Sequence, residues 1–338
     1  MASQPEQGKI EPKTIFRHVY GVYPSMAMLA GMQLDVFTPL KDGPMSGARL
    51  AEAIDVAQEK LRPLLYALVN AELLRIEDDQ FANTPEGDLY LVRGRSTYLG
   101  GAHELYSDLW SAALTAGQSI RDGAPHKKHD LAAMSDAELA AFFRGLHPAA
   151  LATGRQLAAS CGFTGLRHLM DVGGGSGGLA IAACQNCPDL RATVFELPRV
   201  AEIARCVVEE AGMTDRVQVR AADVLACAPE GRFDVAVLRN LIQVLGPDEA
   251  RRVLHNVGEA IEPGGLLIIV GHILQDSRLE PVAAVGMNLI FLSIYDAGQA
   301  YTEREHRGWL DDAGFADIEV QYGAAPAGMS IVLAQKTR

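Results

Sequence analysis

Residues 171–178 read Asp-Val-Gly-Gly-Gly-Ser-Gly-Gly, behind the apolar pair Leu169-Met170 and ahead of the apolar stretch from Leu179 to Ala183. Glycines this dense serve a backbone that bends sharply and approaches a ligand closely. The N–H groups at the start of the following helix then face that ligand. Two templates fit. Read as GxGxxG, with Gly173, Gly175 and Gly178, the loop suits the pyrophosphate of a dinucleotide. Read as an acid followed by a glycine run, with Asp171 two residues ahead of Gly173, Gly174 and Gly175, it suits S-adenosylmethionine. The acid can act on that ligand's ammonium group through the turn or a water, and a dinucleotide offers no such group.

Two further carboxylates support the methyl donor. Glu196 ends the apolar run Val194-Phe195, 25 residues after Asp171, where a carboxylate can accept both ribose hydroxyls. Asp223, in Ala221-Ala222-Asp223-Val224, ends the next run and can accept from an adenine amino group. The glycine loop also arrives only after some 165 residues, which weakens the nicotinamide-dependent oxidoreductase reading.

These residues need a sheet to hold them. Leu169 to Val172, Ala192 to Phe195, Val217 to Val219, Val235 to Leu238 and Leu266 to Val270 are short apolar runs, mostly separated by helical patterns such as Pro247 to Ile261. That alternation predicts βαβ units in a parallel, doubly wound sheet, with ligands outside the carboxyl ends of its strands. Upstream, helices spaced through Leu34, Leu64 and Leu74 lead into Leu73 to Ile76 and Phe81 to Asn83, a short hairpin. Helices followed by a small wing suggest a winged-helix-like unit over 14–97. A helical connector over 98–162 carries Tyr106, Trp110, Phe142, Phe143, Arg144 and His147, and a donor-binding domain covers 163–338.

The 338 residues suit about two domains. The net charge of -12, with no basic stripe, argues against nucleic acid and anionic membranes as partners. It also makes dimerisation the better use of the winged-helix-like unit. Five cysteines form no disulfide framework, and the Cys184-Gln-Asn-Cys187 pair lacks the second pair a zinc site needs. Met1 to Lys9 has no apolar core, and Ala283 to Tyr295 is too short to span a bilayer, so the expectation is a cytoplasmic protein. No His and carboxylate spacing suggests a metal.

Over nearly its whole length the chain resembles the small-molecule O-methyltransferases that include caffeate, isoflavone and acetylserotonin methyltransferases and antibiotic-tailoring relatives. Leu34-Asp-Val-Phe37, the stretch from Leu64 to Leu74, Thr84-Pro85 and the closing segment from Tyr301 to Phe315 carry the likeness, beside the glycine loop. The resemblance implies a Rossmann-like class I methyltransferase sheet behind an N-terminal winged-helix-like dimerisation domain, and an intertwined homodimer. It places Gly173, Glu196, Asp223, Val224 and Arg239 at donor-binding positions, with Glu196 and Arg239 replacing the commoner Asp and Lys. The small-molecule acceptor would meet groups from the connector (Tyr106, Trp110, Phe142, Arg144, His147) and from Met287, Asn288, Phe291 and Tyr295.

One departure bears on the chemistry. The family's base is a His in a segment like L-(K/R)-x-x-L-H-D-W, and here Leu238-Arg-Asn-Leu-Ile-Gln243-Val-Leu puts Gln243 at that position. An amide takes no proton and can only orient. Asn288 likewise stands where many relatives carry Asp. A phenol needs a base, worth roughly 10²- to 10⁴-fold, whereas a thioether sulfur has a free lone pair and no proton to lose. The expectation is therefore an acceptor needing no strong base. Thioether sulfur leads, as in S-methylation of 4-methylthio-2-hydroxybutyrate on the way to dimethylsulfoniopropionate. The alternatives are an O-methyltransferase whose base has moved, to His272 first and His147 second, and a donor-binding protein that does not catalyse.

Overall fold

Leu61, Leu65 and Leu68 fall at i, i+4 and i+7, one stripe of a helix, and in the computed structural model that stripe is buried. The structure describes residues 10–95 and 97–337. They divide into two compact units, Met1–Ser107 and Asp108–Arg338.

In the N-terminal unit, α1 (Lys13–Gly21) and α2 (Tyr23–Gln33) precede β1 (Met45–Ser46), α3 (Gly47–Ala53) and α4 (Gln58–Asn70). The hairpin follows as β2 (Leu74–Glu77) and β3 (Gln80–Asn83), then α5 (Pro85–Leu91). Asp78 and Asp79 join the strands with φ of 47° and 58°. Positive φ at both positions is what a two-residue hairpin turn requires, and Asp tolerates it. Strand β1 pairs with β3 to give a three-stranded sheet in the order β1-β3-β2, so helices with a small wing are what the residues build. Val36, Phe37, Leu50, Leu65 and Leu68 fill its core.

Helix α6 (His103–Leu114) crosses the boundary between the units, so the connector's residues from 108 onward belong to the C-terminal unit. There α7 (Ala116–Asp122) and α8 (Asp136–Ser160) precede β4 (His168–Val172), α9 (Gly178–Asn186), β5 (Arg191–Glu196), α10 (Pro198–Glu210) and β6 (Val217–Ala221). The chain continues through β7 (Phe233–Arg239), a 3-10 turn at Ile242–Val244, α11 (Pro247–Ala260), β8 (Ile261–Gly271) and α12 (Val282–Ile294). It closes with α13 (Glu303–Asp312), β9 (Phe315–Gln321) and β10 (Ser330–Lys336). The seven strands lie in the order β6-β5-β4-β7-β8-β10-β9. The first five in that order are parallel, and the last two add antiparallel pairings. Buried on both faces, the central strands β4 and β7 and residues 267–270 of β8 read as largely apolar runs, whereas the edge strand β6 alternates with exposed Gln218 and Arg220. Because β5 and β6 extend to one side of β4 and β7 returns on the other, the crevice of this fold opens between β4 and β7. No helix among the described residues is long and apolar enough to cross a membrane.

Helix α8 starts with a capping box, Ser135 Oγ accepting the Glu138 N–H while the Glu138 carboxylate accepts the Ser135 N–H. It packs on α9 at Gly154, where a Cβ would fall 2.4 Å from the Leu179 carbonyl oxygen. Backbone cannot move aside cheaply, so Gly154→Ala is expected to destabilise the fold by about 1–3 kcal/mol. Urea unfolding followed by circular dichroism would read this as a lower midpoint with unchanged slope, and an unchanged midpoint would contradict the packing argument.

Candidate active site

Side chains alternate faces along a strand, and this rule assembles the site. Asp171 on β4 is paired with Val194 of β5 and Val237 of β7, so all three share a face. Glu196 and Arg239 each lie two residues further along their strands and fall on that same face. Arg239 is paired with Val270 of β8, and His272 stands two residues beyond Val270. Glu196, Asp171, Arg239 and His272 thus form a row across four adjacent parallel strands, at or just past their carboxyl ends, and Asp171 and Arg239 flank the crevice.

The Asp171 carboxyl is buried beneath the glycine loop. Its Oδ2 accepts the Ala180 N–H at 3.3 Å, in the first turn of α9. The N-cap of that helix is Gly177, which has no side chain to cap with, so the carboxylate from β4 does this work and meets the positive end of the helix dipole. Its Oδ1 is buried with no partner. Burial pushes the Asp171 pKa up to about 7, opposed by the Ala180 hydrogen bond, with Glu196 adding to the rise and Arg239 opposing it. Above the carboxyl the loop turns with φ of 63° at Gly173 and 58° at Gly175, conformations that favour glycine. At Gly174 a Cβ would meet the Asp171 carboxyl at 2.6 Å.

Glu196 accepts the Gly175 N–H at 2.9 Å and the Leu197 N–H at 2.8 Å through different oxygens. Burial raises its pKa despite both bonds. Each oxygen keeps a lone pair, so the carboxylate can still accept from a pair of hydroxyls. Asp223 is exposed just past β6, its Oδ1 accepting the Leu225 N–H, while Val224 packs against the core and its carbonyl takes a hydrogen bond from Asn256. Arg239 is half-buried, and its Nε donates to Thr153 Oγ1 on α8 at 3.1 Å. No carboxylate among the described residues forms an ion pair with it. Burial lowers its pKa, with the Asp171 charge opposing.

Gln243 is buried in the 3-10 turn, and its Oε1 accepts the backbone N–H of His272 at 3.1 Å. The residue at the usual base position therefore braces the strand end that carries His272. A Cβ at Gly271 would come 2.9 Å from that same oxygen, so the glycine leaves room for the brace. The His272 ring packs edge-on to Phe291 at 5.8 Å, and its Nδ1 is buried without a partner. Burial, helped by the Arg239 charge, lowers its pKa to about 4. Phe291 in turn lies 5.4 Å from Tyr295, whose hydroxyl burial pushes to about 12. Met287 and Tyr295 pack on the same small core as Phe291. The Asn288 Oδ1 accepts the Ala300 N–H at 2.8 Å, an anchoring contact for the loop after α12.

The connector residues lie along α6 and α8 and the segment between them. Tyr106 belongs to the N-terminal unit and packs on that unit's core, while Trp110 is half-buried on α6. Phe142 packs on the His129 and Phe143 rings, at 5.7 and 5.3 Å. Arg144 forms a two-pronged pair with Glu210 of α10 at the surface, at 2.8 and 2.6 Å. His147 turns to the donor loop instead, its Nδ1 2.9 Å from Ser176 Oγ. Four residues carry contacts or surroundings that the sequence did not assign to them. Phe143 faces Gly175, Ser176 binds His147, Thr153 holds Arg239, and Asn240, with φ of 56°, buries an unpartnered Oδ1. Helical spacing marks Phe143 and Thr153 as inward-facing, but only the contact with the loop shows their use.

S-adenosylmethionine fits this arrangement. The left-handed glycines open a close approach, Asp171 and Glu196 set negative charge beside it, and the orphaned Asp171 Oδ1 lies under the loop. The donor carries a cationic sulfur and an ammonium group, so it favours ionised Asp171. Below pH 7 protonation of that carboxyl competes with binding, and donor affinity is expected to fall toward tenfold per pH unit. Calorimetric titration at pH 6 and 8 should show tighter binding at pH 8, and Asp171→Asn should flatten the difference. A wild-type affinity independent of pH would contradict the assignment.

The O-methyltransferase domain family matches residues 117–316, and the O-methyltransferase dimerisation domain matches residues 16–93. The 3-hydroxy-5-methyl-1-naphthoate 3-O-methyltransferase of Streptomyces sahachiroi is 29% identical over 94% of this chain and 93% of its own. The tetracenomycin polyketide synthesis 8-O-methyl transferase of Streptomyces glaucescens is 27% identical over 95% of this chain and 96% of its own. Among solved structures, human N-acetylserotonin methyltransferase in complex with S-adenosylmethionine superposes with a TM-score of 0.83 at 20% identity, covering 99% of this chain and 100% of that one. A methyltransferase of calicheamicin biosynthesis, in its S-adenosylhomocysteine-bound form, gives 0.81 at 21% identity over 96% and 98% of the two chains. The chain belongs to the O-methyltransferase family and is an S-adenosylmethionine-dependent methyltransferase.

Proposed function

We propose that this methyltransferase acts on a hydroxyl of an aromatic small molecule, with His272 as the proton acceptor. The observation that carries the reading is the His272 ring, packed on Phe291, next in the row to Arg239 and braced through its backbone by Gln243. The named acceptors of the two Streptomyces relatives, a hydroxynaphthoate and a polyketide methylated on oxygen, support it. A further relative from Streptomyces rimosus is named as an N,N-dimethyltransferase. The thioether expectation drawn from Gln243 finds no support among these names, and the relocated-base alternative fits them better.

When bound, the donor supplies a methyl group on a cationic sulfur, which leaves as the neutral thioether of S-adenosylhomocysteine. The protein's part is to place a hydroxyl oxygen in line and to receive its proton. Holding two reactants in attack geometry is the larger contribution. Tyr295 and Met287, both partly exposed, are the groups that can meet a flat acceptor, while the fully buried Phe291 backs Tyr295 and His272. With a pKa of about 4, the His272 imidazole is neutral near pH 7 and free to accept. It is too weak a base to ionise a phenol of pKa about 10 beforehand, and takes the proton as the methyl transfers, when the O–H of the forming oxonium becomes strongly acidic. In this reading Gln243 orients the backbone at His272 and takes no proton.

His272→Ala should lower kcat with a hydroxyaromatic acceptor by roughly 10²-fold at saturating donor, and Gln243→Ala by less. Donor-saturated kcat of the wild type should stay level from pH 6 to 8 and fall as pH drops toward 4, where His272 protonates. The assay is S-adenosylhomocysteine release across hydroxyaromatic, amine and thioether acceptors. Turnover confined to thioethers, or full activity of His272→Ala, would sink the reading. Donor binding with no turnover on any acceptor would favour the non-catalytic alternative.

The active form is a homodimer in this reading, in keeping with the dimerisation domain. Ile15, Phe16, Val19, Tyr20, Tyr23 and Met26 expose apolar surface along α1 and α2, and no residue of α1 is buried. A second copy of the chain is the occupant that the domain match favours. Phe16→Glu with Tyr20→Glu should shift the protein to monomer in analytical ultracentrifugation, and an unchanged dimer would place the interface elsewhere.

A further inference from the structure

Helix α8 meets the donor loop with one face. Phe143, His147, Ala150 and Gly154 recur at i, i+4, i+7 and i+11, the spacing of a single helical stripe. Each touches the loop or the helix it opens. Phe143 faces Gly175, His147 and Ala150 face Gly178, and Gly154 lies against the Leu179 carbonyl. Thr153, next to Gly154 in the chain but on the flank of this stripe, holds Arg239.

Within this face one contact is polar and aimed at the loop itself: His147 Nδ1 to Ser176 Oγ, at 2.9 Å. Between Gly173 and Gly178, Ser176 is the one residue with a side chain, and it is buried. A run of glycines loses more backbone freedom on ordering than any other sequence of its length. Its shape must be imposed from outside. One internal bond contributes, from the Gly177 N–H to the Gly174 carbonyl, and the Gly173 N–H donates to the Phe195 carbonyl on β5. Glu196 holds the Gly175 N–H but also faces the donor's ribose in the family arrangement. The Ser176 hydroxyl is the loop's side-chain tether to α8.

We propose that His147 is a positioning residue for the methyl donor, holding the glycine loop through Ser176 in the shape that receives S-adenosylmethionine. His147 touches neither the acceptor nor the reacting atoms in this role. Its effect is preorganisation, since without the tether the loop must be ordered by the donor and binding weakens accordingly. Burial, and then the Arg144 charge, hold the His147 pKa below its ordinary value, so the ring is neutral at pH 7. A neutral ring and a hydroxyl can share this bond in either sense.

The test is a double-mutant cycle on the full chain, reading the Kd for S-adenosylhomocysteine by calorimetry and the donor KM and kcat by turnover. His147→Ala and Ser176→Ala are each expected to weaken binding by about tenfold, the worth of one hydrogen bond, with donor-saturated kcat held within about twofold. The double variant should lose little more than either single one, because both remove the same bond. His147→Gln, whose amide can reach the hydroxyl, should recover part of the affinity. Additive losses would overturn the proposal, as would unchanged donor affinity in His147→Ala with only a lower melting temperature, since both are the marks of packing alone. Ser176→Ala removes a single oxygen, so its folding is secure enough to decide the matter if His147→Ala fails to fold. The acceptor does not enter the binding measurement, so failure here leaves the hydroxyl-methylation reading standing, and the reverse also holds.

Discussion

A carboxyl group buried at the start of a helix ties the glycine loop, its strand and its helix together. Asp171 leaves the central strand β4, passes under the glycine loop and caps α9, the helix that the loop opens. Strand, loop and helix are thereby tied at one point. The carboxyl is stabilised by the Ala180 N–H and the helix dipole, yet burial keeps its pKa near 7, so the tie carries an electrostatic strain. A cationic ligand beside the loop relieves that strain. The same group that shapes the loop therefore also favours what the loop binds.

Charge then changes sign across the sheet. Glu196 and Asp171 lie on the donor side of the crevice, Arg239 stands across it, and the neutral His272 follows. A parallel sheet makes this order inevitable once the residues occupy the last inward-facing position of each strand or its extension. Arg239 does two things in this row. It opposes the rise in the Asp171 pKa, and it depresses that of His272, which helps keep the imidazole free of a proton. Gln243 completes the arrangement by bracing the backbone at His272. The Gln243 amide is thus a support for the backbone that carries the ring proposed as the proton acceptor.

Helix α8 supplies the wall. Its stripe of contacts reaches from Phe143 through His147 to Gly154, over roughly three turns, and covers the loop and the start of α9. Residues that look like surface or pocket in a linear reading take their meaning from this contact. Arg144 turns outward to Glu210, while His147, three positions along, turns inward to Ser176.

Much of this was legible without coordinates. The βαβ alternation, the hairpin at Leu74–Asn83, the glycine loop, and the acids at Glu196 and Asp223 follow from periodicity and spacing, because strand and helix periods are local properties of the chain. Resemblance to a family supplied the dimerisation domain and the position of Gln243. What it could not supply was which side chains meet. Sequence distance between Gln243 and His272, between His147 and Ser176, or between Thr153 and Arg239 is bridged only by packing α8 and β8 against the strand ends. The same holds for the Arg144–Glu210 pair and for the orphaned oxygen of Asp171. Composition and period fix which face of an element is buried; the partners on that face, and so the pKa values and the chemistry, are set by tertiary contact alone.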